Sequence, residues 1–528
     1  MKKNLQKQNF SRRKFIKAGT ILAAASAVAP GCVRAAAFPS GNAGNTGNKG
    51  NVFEQFACPQ WLKDAKFGLW LHWGPQSIPT RGAGWYARHL YMAPDDPAIE
   101  RFGKEAWEYH RRTFGHQADF GYKDLCRLWK AEKFDADATV KRFKEWGARY
   151  VAVIANHHDN YDLFSSSVHD WNAAKVGPKR DILGEFAAAA RRHQLKWAAT
   201  AHASRARRWM APSVGADRTG PRAGEPYDGN LTAEDGKCAW WSGLNPRQLY
   251  AVNHEPFERE LAQRLTELAE NYRPDMLYFD DDEIPALATE ACRRLYENSL
   301  KTHGSIQAVV TVKKEQKGTL RDYEKGIADG IRNEYWQTDT SLNEDWFLKA
   351  DVDKNGLRHD ARTLKELLVD IVSKRGVMLL NIPVNADGSI PDDQAAIMEE
   401  LGAWLRVNGE AIYETVPWKT YGENGDASGG HFNERTVKSA PWNHEVVRFT
   451  ANKKGTIIYV HVFGNPAGKE LSIASFANPT KTKTKIRNVA LLGSDAKIKW
   501  TMKPDGLHVS MPETLPCKDC NVLSAVVR

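Results

Sequence analysis

No apolar run in this chain is long enough to cross a bilayer: Ala18–Ala29, the nearest approach, falls short of the ~20 residues a spanning helix needs. Cysteine is scarce, with 7 in 528 residues. Cys58, Cys126, Cys238 and Cys292 are scattered, and Cys517-x-x-Cys520 has no second pair, which excludes a disulfide framework and a four-ligand zinc site. The last pair reads as a local disulfide or as two free thiols. Acids are missing altogether from residues 1–37, which hold eight of the 74 Lys and Arg and none of the 64 Asp and Glu. The formal charge of +10 is therefore mostly N-terminal. The remainder is nearly neutral and carries no nucleic-acid footprint. No Gly-rich phosphate loop follows the first strand-like run, and no H-x-H or H-E-x-x-H is present.

The basic N-terminus reads as an export signal. Ser11-Arg12-Arg13-Lys14-Phe15-Ile16-Lys17 matches the twin-arginine pattern, the Ala18–Ala29 stretch follows, and Ala35-Ala36-Ala37 offers a cleavage site. Gly31-Cys32 offers a lipid-anchoring cysteine, but Ala29 stands where an aliphatic residue is usual, which disfavours it. A signal over 1–37 predicts a periplasmic or extracellular protein without a stable membrane span. Residues 38–52, rich in Gly and Asn, read as a tether.

From Phe53 to Tyr421 short apolar runs alternate with amphipathic stretches. Lys66–Trp73, Tyr150–Asn156, Leu195–Ala201, Asp275–Phe279, Ser305–Val312 and Val377–Ile382 predict buried parallel strands, with helical patterns between them. This alternation over 53–421 predicts a (β/α) TIM-like barrel. Beyond it, seven short runs with turn spacing predict an antiparallel β-sandwich over 422–528.

In such a barrel the chemistry sits at the carboxyl ends of the strands. The predicted strands end in His72-Trp73-Gly74, in Asn156-His157-His158-Asp159, in His202, and in Asp280-Asp281-Asp282-Glu283. Each alone could be a satisfied core histidine or a solvated acidic run. Together they predict one shared rim. That rim suits a metal site or glycoside cleavage by two carboxyl groups. Adjacent histidines on extended chain diverge, so they make a poor chelate, and the glycosidase reading needs no metal or cofactor. The 18 tryptophans suit sugar faces, although most must be core. Lys313-Lys314 reads as a commonplace basic pair.

Motifs along the chain add a resemblance. Trp61–Gly74 (WLKDAKFGLWLHWG), Gly84-Trp85-Tyr86-Ala87-Arg88, Phe134-Asp135-Ala136-Asp137, Asn156-His157-His158-Asp159, Gly177–Asp181, Tyr272-Arg273-Pro274-Asp275, Leu379-Leu380-Asn381-Ile382 and Val407–Tyr413 resemble, in order, glycoside hydrolase family 29, the α-L-fucosidases. The resemblance spans residues 55–528. It implies a retaining exo-glycosidase acting on an oligosaccharide or glycan, with Asp280 as nucleophile and Asp281 and Asp282 as rivals by residue type. His72, His157 and His158 match positions that hold sugar hydroxyls, and Trp85 matches a pocket aromatic. His202 and Tyr278 stand at further pocket positions, and Trp336 lies in the segment where the acid/base is often found.

Three departures matter. Gly84 stands where relatives often carry Glu, and His202 stands where Tyr-Tyr-Ser is common. Gln337 follows Trp336 where Glu is frequent, and a neutral amide cannot cycle a proton. Glu324 is then the expected acid/base, with Glu334 as the alternative. These departures also leave open an α-L-galactosidase, an α-L-glucosidase or an inactive carbohydrate-binding protein. The sequence does not set the oligomeric state.

Overall fold

The computed structural model of the chain describes residues 51–100, 103–349, 359–425, 430–431, 442–477 and 485–528. The expected signal over 1–37, Cys32 and nearly all of the expected tether lie outside them. Val52 corrects the tether's end. It is buried and opens the 3-10 turn Val52–Gln55, so the folded body starts before residue 53.

Six expected strands form: β1 (Phe67–Leu71), β2 (Tyr150–Asn156), β3 (Lys196–Ala201), β4 (Met276–Phe279), β5 (Val309–Val312) and β9 (Gly376–Asn381). Two strands were not predicted. β6 (Leu320–Arg321) is too short to show a pattern, and β8 (Trp336–Ser341) is too polar to read as barrel core. All eight pair in parallel, in the order β6-β5-β4-β3-β2-β1-β9-β8. A parallel bridge between Asp322 and Gln337 joins the two ends into a barrel. The short β7 (Gly326–Ile327) pairs antiparallel with β11 (Gly430–His431).

The interior explains Gln337. At Gly68 an added Cβ would stand 2.4 Å from the Tyr150 ring, so glycine lets that ring cross the lumen. The Tyr150 hydroxyl donates to Gln337 Oε1 at 3.2 Å, and Gln337 Nε2 donates to Asp322 Oδ1 at 3.0 Å. Gln337 is thus the clamp that closes β6 onto β8. Its amide satisfies two buried partners, and it is not a disabled acid.

Two motif residues, Asp135 and Asp181, prove to be helix caps, as does Asp360 outside the motifs. Asp135 caps the helix Ala136–Glu145, Asp181 caps Ile182–Arg192 and Asp360 caps Ala361–Ser373, each accepting a hydrogen bond from an orphan backbone N–H.

The C-terminal strands are β10 (Thr415–Glu423), β12 (Val447–Asn452), β13 (Ile457–Phe463), β14 (Glu470–Ile473), β15 (Ile486–Leu491), β16 (Lys499–Lys503), β17 (Gly506–Ser510) and β18 (Cys520–Val527). They form two antiparallel sheets, β10-β12-β13-β18-β15 and β14-β17-β16. β10 begins at Thr415 and pairs with β12, so the second domain takes in residues the sequence had assigned to the barrel. Its mixed side chains, half-buried along most of the strand, hide the alternation. On β13, Ile458, Val460 and Val462 pack between the two sheets, while Tyr459 and Phe463 belong to the barrel's core. Cys517 and Cys520 are free thiols.

At the junction of barrel and sandwich, Asp370 accepts from Arg448 Nε at 2.6 Å and lies 2.7 Å from Lys374 Nζ, all three buried. Asp370→Leu would strand two buried cations. We expect a loss of roughly 3–5 kcal/mol in urea unfolding. A loss below about 1 kcal/mol would mean that water reaches the pair.

Candidate active site

Alternation builds the rim. Successive strand residues face opposite sides, so positions two apart share the lumen. Trp70 and His72 on β1, Thr200 and His202 on β3, and Tyr278 and Asp280 on β4 run up the same inner wall. Ring contacts confirm it: the Trp70 ring lies 5.1 Å from Tyr278 on β4 and 4.0 Å from His72, two residues further along its own chain. Lys313, Asp322, Glu324, Asp339 and Asn381 complete the rim from β5, β6, β8 and β9.

Asp280 sits at the centre of one cluster. His158 Nε2 is 3.4 Å and His202 Nδ1 3.6 Å from its Oδ2, and Lys313 Nζ is 3.7 Å from its Oδ1. Burial opposes its charge. The facing His158 and His202 rings and the Lys313 ammonium outweigh that, holding the carboxyl well below the usual range. Its rivals are engaged elsewhere. Asp281 accepts from Ser204 Oγ at 2.6 Å and Arg205 Nε at 3.0 Å, and Asp282 pairs with Lys314 at 2.7 Å on the surface.

The sequence reading missed the most consequential residue. Lys313 is deeply placed, and its ammonium lies 2.9 Å from Asp339, 3.1 Å from Asp322 and 3.4 Å from Glu324, besides its contact with Asp280. Burial disfavours its charge, but Asp339, Glu324 and Asp322 prevail and keep it protonated. A Lys-Lys pair after a strand is common. Only the strand-end position of the first of the two, with alternation, could have singled it out.

Glu324 stands at the mouth with its side chain 42% exposed. Lys313 pulls its pKa down, yet burial and the neighbouring Asp339 and Asp280 charges together raise it above the usual range. Two carboxyl groups thus face one ammonium, one held ionised and one inclined to keep its proton. That is the division of labour glycoside cleavage needs.

The histidines form the floor. Asn381 Oδ1 accepts from the His72 backbone N at 2.9 Å and lies 3.0 Å from His72 Nδ1, leaving Nε2 for a ligand. His157 Nδ1 lies 3.3 Å from Gln76 Nε2. His158 Nδ1 donates to His202 O at 2.7 Å, aiming Nε2 at Asp280. Burial holds His72, His157 and His202 below the usual imidazole range, so each ring is neutral, with one N–H and one lone pair. Neutral imidazoles can serve sugar hydroxyls. The nitrogens of His72, His157 and His202 also lie within 4.8 Å of one another, a set that could hold a metal ion.

Three expected site residues take other places. Trp336 opens β8, in register with Gly376, whereas the rim lies at the far end where Ser341 meets Asn381. It is buried and donates to Lys374 O at 3.0 Å, a packing role. Glu334 precedes Trp336 and lines a separate cavity of about 670 Å³ with Phe56, Cys58 and Arg332. Both are removed from the rim by the parallel direction of β8. Tyr278 lies below the rim, fully buried, donating to Asp339 Oδ2 at 2.8 Å; it supports the site without lining it. Trp85 is 39% exposed and meets Trp209 at 5.3 Å, whose ring lies 4.7 Å from His158, so it stands at the mouth.

Comparisons with known proteins agree with this geometry. Residues 44–410 match the model of the family described as alpha-L-fucosidase, and residues 441–525 match that of the alpha-L-fucosidase C-terminal domain. The tissue alpha-L-fucosidase of Bos taurus is 27% identical over 472 residues, covering 87% of this chain and 85% of its own. The plasma alpha-L-fucosidase of Homo sapiens is 27% identical over 485 residues, covering 87% and 88%. Among solved structures, the Thermotoga maritima alpha-fucosidase in complex with fucose superposes with a TM-score of 0.66 at 25% identity, covering 90% of this chain and 98% of its own. With the matched barrel spanning most of the chain and a two-carboxyl rim at its mouth, this protein is a glycoside hydrolase and belongs to the α-L-fucosidase family.

Proposed function

We propose that the chain is an exported, retaining exo-α-L-fucosidase that releases terminal L-fucose from glycans by double displacement, with Asp280 as nucleophile and Glu324 as acid/base. The observation that carries this is the pair of carboxyl groups, Asp280 and Glu324, that face one ammonium at the strand-end rim of the barrel. Through Lys313 their facing oxygens are at most about 7 Å apart, which admits the ~5–5.5 Å spacing of retaining enzymes. Asp280 attacks the anomeric carbon while Glu324 protonates the departing oxygen. Glu324, now a carboxylate, then takes a proton from the water that releases the sugar. His72, His157, His158 and His202 hold the hydroxyls. Export rests on the twin-arginine pattern of residues 11–17, and a fusion of residues 1–37 to a reporter, with Arg12 and Arg13 changed to Lys, tests it. Turnover of nitrophenyl α-L-fucoside, α-L-galactoside and α-L-glucoside, with and without chelator, tests the sugar and any metal.

Azide tests the acid/base. Glu324→Ala should lose about 10²–10⁴-fold on substrates with poor leaving groups. On activated aryl glycosides it should still form the intermediate, with azide restoring turnover because azide attacks without deprotonation. Glu334→Ala should behave as wild type. Rescue confined to the Glu334 variant would reverse the assignment.

A further inference from the structure

Two groups of side chains at the rim are close enough to share a metal ion: His72 with His157 and His202, and His158 with His202 and Asp280. Proximity does not separate them. The proton on each ring does, because an imidazole nitrogen ligates only through its lone pair. The Gln76 amide is oriented by its carbonyl, which accepts from Ala87 N at 3.2 Å. Its Nε2 therefore donates toward His157 Nδ1, 3.3 Å away, so that nitrogen accepts and His157 Nε2 carries the proton. Neutral His157 then has no free lone pair, and the first group falls to two ligands.

The second group is wired the other way. His158 Nδ1 donates to the His202 carbonyl at 2.7 Å, so in the neutral ring Nε2 bears the lone pair, 3.4 Å from Asp280 Oδ2. His202 Nε2 lies 3.1 Å from Thr200 Oγ1, a hydroxyl able to accept its proton. His202 Nδ1 is buried without a hydrogen-bond partner, 3.6 Å from the same Oδ2. Each ring is thus braced through one nitrogen by an outer partner, as ligating histidines are. Tetrahedral ligands held ~2.0–2.2 Å from Zn²⁺ stand about 3.3–3.5 Å from one another. The two spacings to Oδ2 need little or no contraction to reach that figure.

Charge is compatible as well. Lys313 engages the other oxygen, Oδ1, at 3.7 Å, and its ammonium is also faced by Asp322, Asp339 and Glu324, which shield it from a cation on Oδ2. The Asp280 side chain is 24% exposed, which gives an ion a path from solvent.

We propose that His158 Nε2, His202 Nδ1 and Asp280 Oδ2 form an inhibitory binding site for a borderline divalent cation of the Zn²⁺ type. Three protein ligands leave a fourth position for water. Bound there, the ion occupies the Oδ2 lone pair and sets its water beside the nucleophile, so it competes with the sugar. The inhibition, though not the binding, rests on the role given to Asp280 above.

The test takes protein dialysed against chelator and titrates it with Zn²⁺ by calorimetry and with Co²⁺ by visible absorption, neither of which needs turnover. Wild type should bind one ion that His158→Gln and His202→Gln each weaken by about 100-fold or more, beyond the ~10–100-fold cost of losing an outer partner, which Thr200→Val should show. His157→Gln should bind it as wild type does. Thermal melts identify misfolding, and the comparison of His157→Gln with His158→Gln needs only those two folded. In kinetics Zn²⁺ should raise the KM for nitrophenyl α-L-fucoside, leave kcat unchanged, and be reversed by chelator. No saturable binding in wild type, or binding lost in His157→Gln and kept in His158→Gln, overturns the site. Turnover lost on chelation would make the ion a cofactor and overturn its inhibitory role. Zn²⁺ held by these three ligands with fucoside turnover unaffected would overturn Asp280 as nucleophile and leave the site standing.

Discussion

Asp280→Asn is expected to abolish turnover, by on the order of 10⁴-fold or more, while the fold and the affinity for the sugar persist. Amide and carboxylate are near-isosteric, but only the carboxylate can form and release a glycosyl ester. The environment sharpens the expectation. His158, His202 and Lys313 are arranged around an anion, and the carboxylates next to Asp280 in sequence are held by other partners. Asp281 is held by Ser204 and Arg205, and Asp282 lies on the surface with Lys314. The check pairs steady-state kinetics with calorimetric binding of free sugar to the variant. Turnover near that of wild type would move the nucleophile to Asp281. Loss of binding together with loss of turnover would show that the charge of Asp280 builds the pocket as well as reacting in it.

Lys313→Met should have the second largest effect, and its signature is a pH profile. In wild type the active window lies above the depressed pKa of Asp280, which must be ionised, and below the raised pKa of Glu324, which must be protonated. The ammonium lowers both. Removing it raises both, so each limb of the bell moves to higher pH. A shift of one unit of the acid limb is a tenfold loss on that side. Stability should fall too, by roughly 3–5 kcal/mol, because Asp322 and Asp339 stay buried without their cation. Lys313→Arg, which keeps the charge, should retain the position of the bell even if geometry costs rate. A bell that stays in place in Lys313→Met, with activity uniformly lower, would reduce Lys313 to packing.

These two variants probe a site that was only half legible in the chain. Strand-end His72, His202 and Asp280 could be read because each terminates an apolar run, and period-two alternation then sends it inward. His157 and His158 follow the end of β2 side by side, and the turn after that strand brings both to the site. Glu324 was reached through residue type and neighbourhood. Lys313, Asp339 and Asn381 passed unnoticed as site residues because their meaning is relational. Lys313 is one of two adjacent lysines, Asp339 sits in a polar run that does not look like a strand, and Asn381 ends a strand whose neighbour in the sheet, β1, lies far off in sequence. Trp336 and Glu334 erred in the other direction. Their strand was not foreseen, so the end of it on which they stand could not be known.

Local chemistry in the sequence determined the positions of six barrel strands, the helix caps at Asp135, Asp181 and Asp360, the alternation of the sandwich strands after β10, and the facing of Asp280. All of these depend on residues within a turn or a pleat of one another. Tertiary structure alone decided that Gln337 clamps the barrel, that Phe347 fills the space over Gly84, and that four carboxyl groups share one lysine. Each of those joins strands or loops that are distant in the chain. Burial then gives the contacts their strength, because a charge or a methyl-sized gap that water would mask on the surface is fully felt in the lumen.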